Sequence, residues 1–343
     1  MPFPKLPRRL PFDPYLAALL GTVALAALLP ARAAAATAVS DTADGAVALL
    51  FFLYGARLST REALDGLKQW RLHGTVLAVT YVLFPLLGLA CRALVPGLLS
   101  PQLYQGLLFL TLLPSTVQSS IAFTSIARGN AAAAVCSATF SSLVGVVLTP
   151  LLAAALLSTQ GRIAAHSVLG IVEQLLLPFL AGQLLRRWIA AWMGRHRRVL
   201  GLVDRGSILL VVYSAFSAGM VGGIWSQLPL PGLAVLLVVE AALLALVLCC
   251  TALLGRRLGF GRGDRIALVF CGSKKSLAAG LPMASVLFPG SAALMALPLM
   301  LFHQIQLMVC AVLARRWGAE ELPAPAPAPV VVAVPVGGQG TET

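Results

Sequence analysis

Charged residues are scarce in this sequence. Only 11% of its 343 residues are Asp, Glu, Lys or Arg, whereas 59% are hydrophobic, and the mean hydropathy is +0.91. A soluble domain carries about 25% charged residues, most of them on its surface. The composition therefore excludes a soluble globular protein and predicts a chain embedded in a lipid bilayer, with room for roughly ten spans of about 20 residues.

Motifs of catalysis and metal binding are missing. The six cysteines lie in apolar runs without the spacing of zinc ligands or redox pairs, and no HExxH or GxSxG motif occurs. Ser273 beside Lys274 is the nearest approach to a catalytic dyad, but adjacent residues on a helix rarely face one another. These absences argue against an intramembrane enzyme and predict no cofactor and no bound metal.

Acidic residues are fewer than basic residues, 12 against 25, so the net charge is +13. The basic residues follow a membrane topology, which argues against a nucleic-acid partner. With the N-terminus inside, 20 of the 25 Lys and Arg fall on the cytoplasmic side and three outside. The alternation predicts ten spans with both termini cytoplasmic, at about 13–31, 43–59, 73–95, 102–127, 130–158, 163–188, 207–226, 232–255, 264–287 and 291–314.

The two ends of the chain and one basic stretch need separate interpretation. Residues 1–38 also fit a secretory signal peptide, whose removal would leave nine spans in the same orientation. The internal repeat described next favours retaining them. Residues 317–343 are rich in Pro and Ala and are predicted to be disordered. The basic segment 186–205 is predicted to be an interfacial loop helix that contacts anionic lipid.

The fourth and ninth segments are interrupted by residues unsuited to a membrane helix. Pro114 precedes a polar cluster in the fourth, and Gly272 and Gly280 flank two lysines in the ninth. Broken helices occur at membrane depth only inside protein or along a cavity. Because the two segments lie five spans apart, they run in opposite directions. This pattern predicts two inverted five-helix repeats whose broken helices, spans four and nine, cross at a central site.

Two stretches resemble a known transporter family. They read SIARGNAAAAVCSATFSSLVGVVLTPLL (125–152) and FCGSKKSLAAGLPMASVLF (270–288). Over residues 10–316 the chain is similar to the bile acid:sodium symporter family, solute carrier family 10, and especially to the branch of its seventh human member and bacterial relatives. The resemblance implies a panel domain from 1–72 and 159–230, a core domain from 73–158 and 231–316, and a bacterial inner membrane.

The resemblance also implies a sodium site, from which this sequence departs. Sodium-coupled members carry an acidic residue and a Gln-Asn pair at the break of span nine. Phe270 to Cys271 and the pair Lys274 and Lys275 occupy these places here. The remaining candidates for binding or coupling an ion, sodium or a proton, lie on spans four, five and eight: Ser119, Ser120, Ser137, Thr139 and Glu240.

Two adjacent lysines at mid-bilayer need compensation, because each costs about 2.5–3.5 kcal/mol on insertion scales. We expect one ammonium to replace sodium at the carbonyls that end a half-helix. The other would meet an anionic solute near the half-helix N-termini. The predicted solute contacts are Lys274, Lys275, Ser276, Gln118 and Gln304.

The predicted function is secondary transport of a small organic anion by alternating access, with sodium as a possible coupling ion. The alternatives are a proton-coupled or uncoupled exchanger with a built-in cation, and a scaffold or regulatory protein of the same fold. Purely structural lysines and a channel are also open, although a channel does not need a site closed by crossing helix breaks.

Overall fold

The computed structural model describes residues 14–57, 69–157, 165–223, 230–288 and 290–319. These residues contain helices and no strand, which confirms the all-α prediction. The start of the chain through residue 13 and the Pro/Ala-rich tail from residue 320 lie outside the described residues. The helices are α1 Pro14–Leu28, α2 Ala34–Arg57, α3 Trp70–Leu94, α4 Pro101–Leu112, α5 Val117–Ile126, α6 Ala131–Leu157, α7 Ala165–Arg195, α8 Arg197–Val221, α9 Leu230–Arg257, α10 Arg262–Gly272, α11 Leu277–Leu287 and α12 Ala292–Ala319.

Helix length and apolar composition identify an integral membrane protein. Within the described residues six helices are long and apolar enough to cross a bilayer: α2, α3, α6, α8, α9 and α12. A seventh span results if α4 and α5, which bend by 66° at their junction, are counted together. A helix needs about 20 apolar residues to cross the hydrocarbon core.

Both interrupted segments break where the sequence predicts. α4 ends at Leu112 and α5 begins at Val117, whereas α10 ends at Gly272 and α11 begins at Leu277. We call residues 113–116 the first break and residues 273–276 the second break. The two breaks contact each other directly, because the Ser276 amide donates to the Pro114 carbonyl at 2.9 Å. In return, the Ser115 hydroxyl donates to the Cys271 carbonyl at 2.6 Å.

Helix α3 contains a π-helical turn that changes its hydrogen bonding. Residues Val79–Leu83 form this turn, and the Phe84 amide donates to the Val79 carbonyl, five residues back. The next residue, Pro85, has no amide hydrogen to donate. The Thr80 carbonyl is therefore left without its usual helical donor, in the interior of the protein.

The helices α1, α2, α7 and α8 pack on one another, and α2 and α7 approach closely. A Cβ atom on Gly55 would lie 1.9 Å from the Phe179 carbonyl oxygen, and one on Gly182 would lie 2.0 Å from that of Phe52. Only glycine permits this backbone contact, which is typical of membrane helices with small residues at their interface.

The basic segment 186–205 differs from its prediction. It is not a separate loop helix, because α7 continues to Arg195 and α8 begins at Arg197. The segment contains no proline, and its Ala, Leu, Trp and Arg residues support helix. The two long helices therefore carry its arginines beyond their apolar parts.

Candidate functional site: two buried lysines where the breaks meet

Lys275 lies in the second break, and its side chain is 0% exposed. Its ammonium donates three hydrogen bonds to backbone carbonyl oxygens, at 2.9 Å to Thr80, 2.7 Å to Thr111 and 2.8 Å to Leu113. The nitrogen also lies 4.2 Å from the centre of the Phe84 ring. A lysine ammonium has three donor hydrogens, so its hydrogen-bonding capacity is filled. We call these three carbonyls the carbonyl site.

The chain leaves these three carbonyls free for a reason visible in the backbone. The π-helical turn and Pro85 release the Thr80 carbonyl from helical bonding. Thr111 and Leu113 lie at the C-terminal end of α4, where the last carbonyls of a helix have no amide partner. That end carries partial negative charge and favours a cation. The carbonyl site is therefore built to hold one positive charge.

Other backbone groups in and beside the first break also have partners. The Leu112 carbonyl accepts from the Thr149 hydroxyl at 2.8 Å, and the Pro114 carbonyl accepts from the Ser276 amide. The Ser115 amide donates to the Ser141 hydroxyl at 2.9 Å. Since an unpaired backbone group in hydrocarbon costs several kcal/mol, these bonds explain how the interruption is tolerated.

Gln306 on α12 holds the backbone of Lys275. Its side-chain oxygen accepts from the Lys275 amide at 2.9 Å, and its side-chain nitrogen donates to the Lys275 carbonyl at 2.9 Å. Sequence reasoning selected Gln304, which is only partly buried here. The signal that favours Gln306 is its four-residue spacing from Phe302 and Cys310, because all three are 0% exposed and share one helix face.

Lys274 is equally buried but has a different environment. Among the described residues its ammonium has no hydrogen-bond partner. The nitrogen lies 3.8 Å from the centre of the Phe123 ring and 5.6 Å from that of Phe270. Trp317 packs against Phe270 at 5.5 Å between ring centres. We call Phe123, Phe270 and Trp317 the aromatic cluster; it offers Lys274 a cation–π contact but no acceptor.

Three of the predicted ion ligands, all serines, have separate partners. The Ser120 hydroxyl donates to the Phe270 carbonyl at 3.1 Å, and the Ser137 hydroxyl lies 2.7 Å from His73 Nδ1. Ser119 donates to the Thr116 hydroxyl at 3.1 Å. Thr139 is partly buried. No group of three His, Cys, Asp or Glu side chains placed to hold a metal occurs in the described part of the chain.

Glu240 on α9 is 0% exposed, and neither carboxyl oxygen has a hydrogen-bond partner among the described residues. It is the acidic counterpart of Lys274, because it too is a buried ionisable group without a polar partner. Such groups inside a membrane protein are costly and mark functional sites by default. Their burial alone does not say which ion or solute they meet.

A cavity of about 480 Å³ lies where α2, α7 and α8 face the start of α5. Its charged lining consists of Arg57, Arg186, Arg197 and Asp204, and Arg57 forms an ion pair with Asp204. Gln118, a predicted solute contact, lines it as well. Three guanidinium groups against one carboxylate make this space positive. We call it the arginine cavity.

The two half-helices that follow the breaks begin differently. The Ser276 hydroxyl accepts from the Ala279 amide at 3.2 Å and so caps α11. Thr116 precedes α5 but makes no such capping bond. The first amides of α5, beside the arginine cavity, therefore lack the side-chain partner that α11 has.

Comparisons with known proteins agree with these features. The model of the SBF-like CPA transporter family matches residues 13–319. A Pseudomonas aeruginosa protein, PA2026, is 55% identical over 314 residues, which cover 91% of this chain and 94% of that protein. YfeH of Escherichia coli is 49% identical over 307 residues, with 89% and 92% coverage. Sodium/bile acid cotransporter 7 of Danio rerio is 29% identical over 278 residues, with 78% and 81% coverage.

The family match extends along nearly the whole described chain and includes both breaks. The comparisons confirm the resemblance to the bile acid:sodium symporter family and indicate a transporter rather than an enzyme. With its apolar helices and its family match over residues 13–319, the chain belongs to the SBF-like CPA transporter family.

Proposed function

We propose that this protein is a secondary transporter of a small organic anion, in which the Lys275 ammonium takes the place of a coupling cation. The observation that carries this proposal is the carbonyl site, three backbone oxygens within 2.9 Å of the Lys275 nitrogen. Backbone carbonyls are also the ligands with which broken transporter helices hold sodium. The name of the Danio rerio relative includes sodium, and in this proposal a tethered charge serves instead of such an ion.

A hydrogen-bonding pattern that occurs at both breaks supports ten spans in two inverted halves. Lys275 follows Ser115 by 160 residues, and each of these residues donates its amide to the next helix. The acceptor is Ser141 on α6 for Ser115 and Gln306 on α12 for Lys275. In this proposal the spans are α1, α2, α3, α4 with α5, α6, α7, α8, α9, α10 with α11, and α12.

Alternating access would arise from two rigid parts. We assign α1, α2, α7 and α8 to a panel, residues 1–72 and 159–230, and the rest to a core, residues 73–158 and 231–316. The close α2–α7 contact supports the panel as a unit. The distribution of basic residues favours cytoplasmic termini, and bacterial relatives favour the plasma membrane.

The arginine cavity supports an anionic solute. Arg186 and Arg197 supply charge, and Gln118 supplies hydrogen-bonding groups at the uncapped start of α5. Helix N-termini and guanidinium groups both favour carboxylate or phosphate. Of the predicted solute contacts, Gln118 is the one in the described lining. We propose that the other four act indirectly, by fixing the geometry of the breaks: Lys274, Lys275, Ser276 and Gln304.

One observation favours coupling to a proton: the buried carboxyl group of Glu240 has no hydrogen-bond partner within the described ranges. A carboxyl group inside the membrane can bind and release a proton, and its neutral form is much less costly there than its ionised form. We therefore propose Glu240, rather than the serine hydroxyls, as the coupling residue. Uptake that responds to a pH gradient in the wild type and loses that response in Glu240→Gln is expected.

Uptake into proteoliposomes tests the proposal. The probes are labelled succinate, glycerol 3-phosphate and taurocholate, with sodium or choline as the external cation. We expect uptake of at least one probe, no requirement for sodium, and loss of uptake in Lys275→Ala. Arg198→Gln, an exposed arginine outside the described cavity lining, is the matched control and should keep wild-type uptake.

Chemical rescue distinguishes loss of the Lys275 charge from a general folding defect in Lys275→Ala. Methylammonium can occupy the emptied carbonyl site, so it should raise the melting temperature of Lys275→Ala and leave Lys274→Ala unchanged. Full uptake by Lys275→Ala, or no uptake of any probe by the wild type, would contradict the proposed function.

A further inference from the structure

A second, smaller cavity of about 190 Å³ lies where the ends of α9, α10 and α12 meet. Its lining carries Arg256 from α9, Arg262 and Arg265 from α10, and Trp317 from α12. No carboxylate belongs to the lining that the structure describes. The nearby Asp264 is engaged elsewhere, since its side chain accepts from the Asn130 amide group at 2.8 Å. The described lining therefore carries three guanidinium groups and is positively charged.

One of the three arginines is fixed in place. Arg262 donates to the Trp317 carbonyl at 2.6 Å, which ties the start of α10 to the end of α12. Arg265 is partly buried, and Arg256 is exposed. Guanidinium groups held in this way match the oxygens of a phosphate, with which arginine forms paired hydrogen bonds.

The remaining lining is apolar and continues into a surface that faces lipid. Ala252, Ile266 and Val269 form the apolar part of the cavity. Leu253 on α9, next to the lining residue Ala252, is 56% exposed, and Val312 on α12, five residues before Trp317, is 60% exposed. Since α9 and α12 pack against each other, both helices present exposed apolar side chains near the cavity.

We propose that this cavity binds the phosphate headgroup of an anionic phospholipid, with the acyl chains along the exposed faces of α9 and α12. The volume is below the roughly 300 Å³ of ordinary small-molecule pockets, which suits a headgroup whose tails remain outside. Basic pockets between membrane helices at the basic side of a protein are suited to such headgroups. The indole of Trp317 lies at the polar–apolar boundary, where tryptophan is favoured.

The site has a direct route to the buried lysines. Trp317 lines the cavity and contacts Phe270, which in turn lies beside the Lys274 ammonium. A lipid phosphate bound to Arg262 and Arg265 therefore steadies one wall of the aromatic cluster. The measurable consequence is that this lipid raises the melting temperature of the whole protein, because a ligand that binds only the folded state stabilises it.

Lipid binding to the purified protein in detergent tests this inference. Native mass spectrometry and thermal unfolding are measured with phosphatidylglycerol and with phosphatidylcholine. The double variant Arg256→Gln, Arg265→Gln removes two cavity charges and spares the Arg262–Trp317 bond. Arg257→Gln, Arg315→Gln is the matched control, because it removes two exposed arginines at the same helix ends that lie outside the described lining.

We expect the wild type and the control to retain phosphatidylglycerol and to melt at a higher temperature with it, but not with phosphatidylcholine. The cavity variant should bind phosphatidylglycerol at least tenfold more weakly, because it lacks two of the three arginines of the described lining. Equal loss in both double variants would indicate diffuse attraction and overturn the proposal. Equal stabilisation by inorganic phosphate or glycerol 3-phosphate would assign the cavity to a soluble phosphate instead.

Discussion

The two breaks differ in charge, although both are largely buried. The first break reads Leu-Pro-Ser-Thr and has no charge, whereas the second reads Ser-Lys-Lys-Ser. The first break, with the end of α4, supplies free carbonyls, and the second supplies the Lys275 ammonium and the Ser276 amide that fill them. Neither interruption would be stable alone in an apolar interior, because each would leave polar backbone groups unpaired. The comparison teaches that the breaks stabilise each other.

A second difference lies within the second break, between the adjacent residues Lys275 and Lys274. Both are 0% exposed, but Lys275 has three hydrogen-bond acceptors, whereas Lys274 has none among the residues that the structure describes. Substitutions that keep the apolar volume and remove the charge should therefore differ greatly in their effect on stability. This difference gives the largest and the smallest of the effects that we expect.

Lys275→Met should destabilise the protein most, by about 3–5 kcal/mol, because removing one partner leaves buried polar groups uncompensated. The orphaned groups are the carbonyls of Thr80, Thr111 and Leu113. The measurement is the free energy of unfolding in detergent micelles, with the melting temperature as a second readout. A variant as stable as the wild type would show that the breaks do not depend on this ammonium.

Gln306→Met should cost about 2–4 kcal/mol, because two buried groups of the Lys275 backbone lose their partners at about 1–3 kcal/mol each. The same unfolding assay measures it. Gln304→Met is the control on the same helix and should change stability little, because its side chain is partly exposed. Equal losses in both variants would argue that helix α12, rather than the second break, is being perturbed.

Single hydroxyl deletions sharpen the comparison between the breaks. Ser115→Ala leaves the buried Cys271 carbonyl unpaired and should cost about 1–3 kcal/mol. Ser276→Ala removes the cap of α11 and should cost about 1 kcal/mol. Unfolding of both variants and of the double variant gives the coupling between the breaks. If the two losses simply add, the breaks are energetically independent and the idea of mutual support fails.

Much of this arrangement could be predicted from local sequence. Pro114 and the polar residues after it locate one break, Gly272 and the lysines locate the other, and apolar runs locate the helices. These signals depend on residues close together in the chain. The basic segment 186–205 differs from its prediction because its arginines belong to two long helices, α7 and α8, which meet at His196, instead of to a separate loop helix.

The partners of the lysines could not be predicted in this way. Lys275 meets Thr80 across 195 residues, and the acceptor is a backbone carbonyl, which every residue type has. Only the π-helical turn before Pro85 makes that carbonyl available, and a π-turn has no strong sequence signal. At a helix break, adjacent residues also lack a helical phase, so the sequence did not indicate which lysine would be held.

Lys274→Met should have the smallest effect on stability, within about 1 kcal/mol and in either direction. The ammonium has no hydrogen bond to lose, and a methionine of similar length keeps the contacts with Phe123 and Phe270. Replacing a buried charge by a well-packed apolar side chain is often neutral or stabilising.

The informative readout for Lys274→Met is therefore uptake, measured together with stability. If Lys274 acts in another conformation of the transport cycle, uptake falls while the melting temperature holds, and Lys274→Arg restores part of it. If uptake and melting temperature both match the wild type, Lys274 is a packing residue, and the charge that matters at the crossing belongs to Lys275 alone.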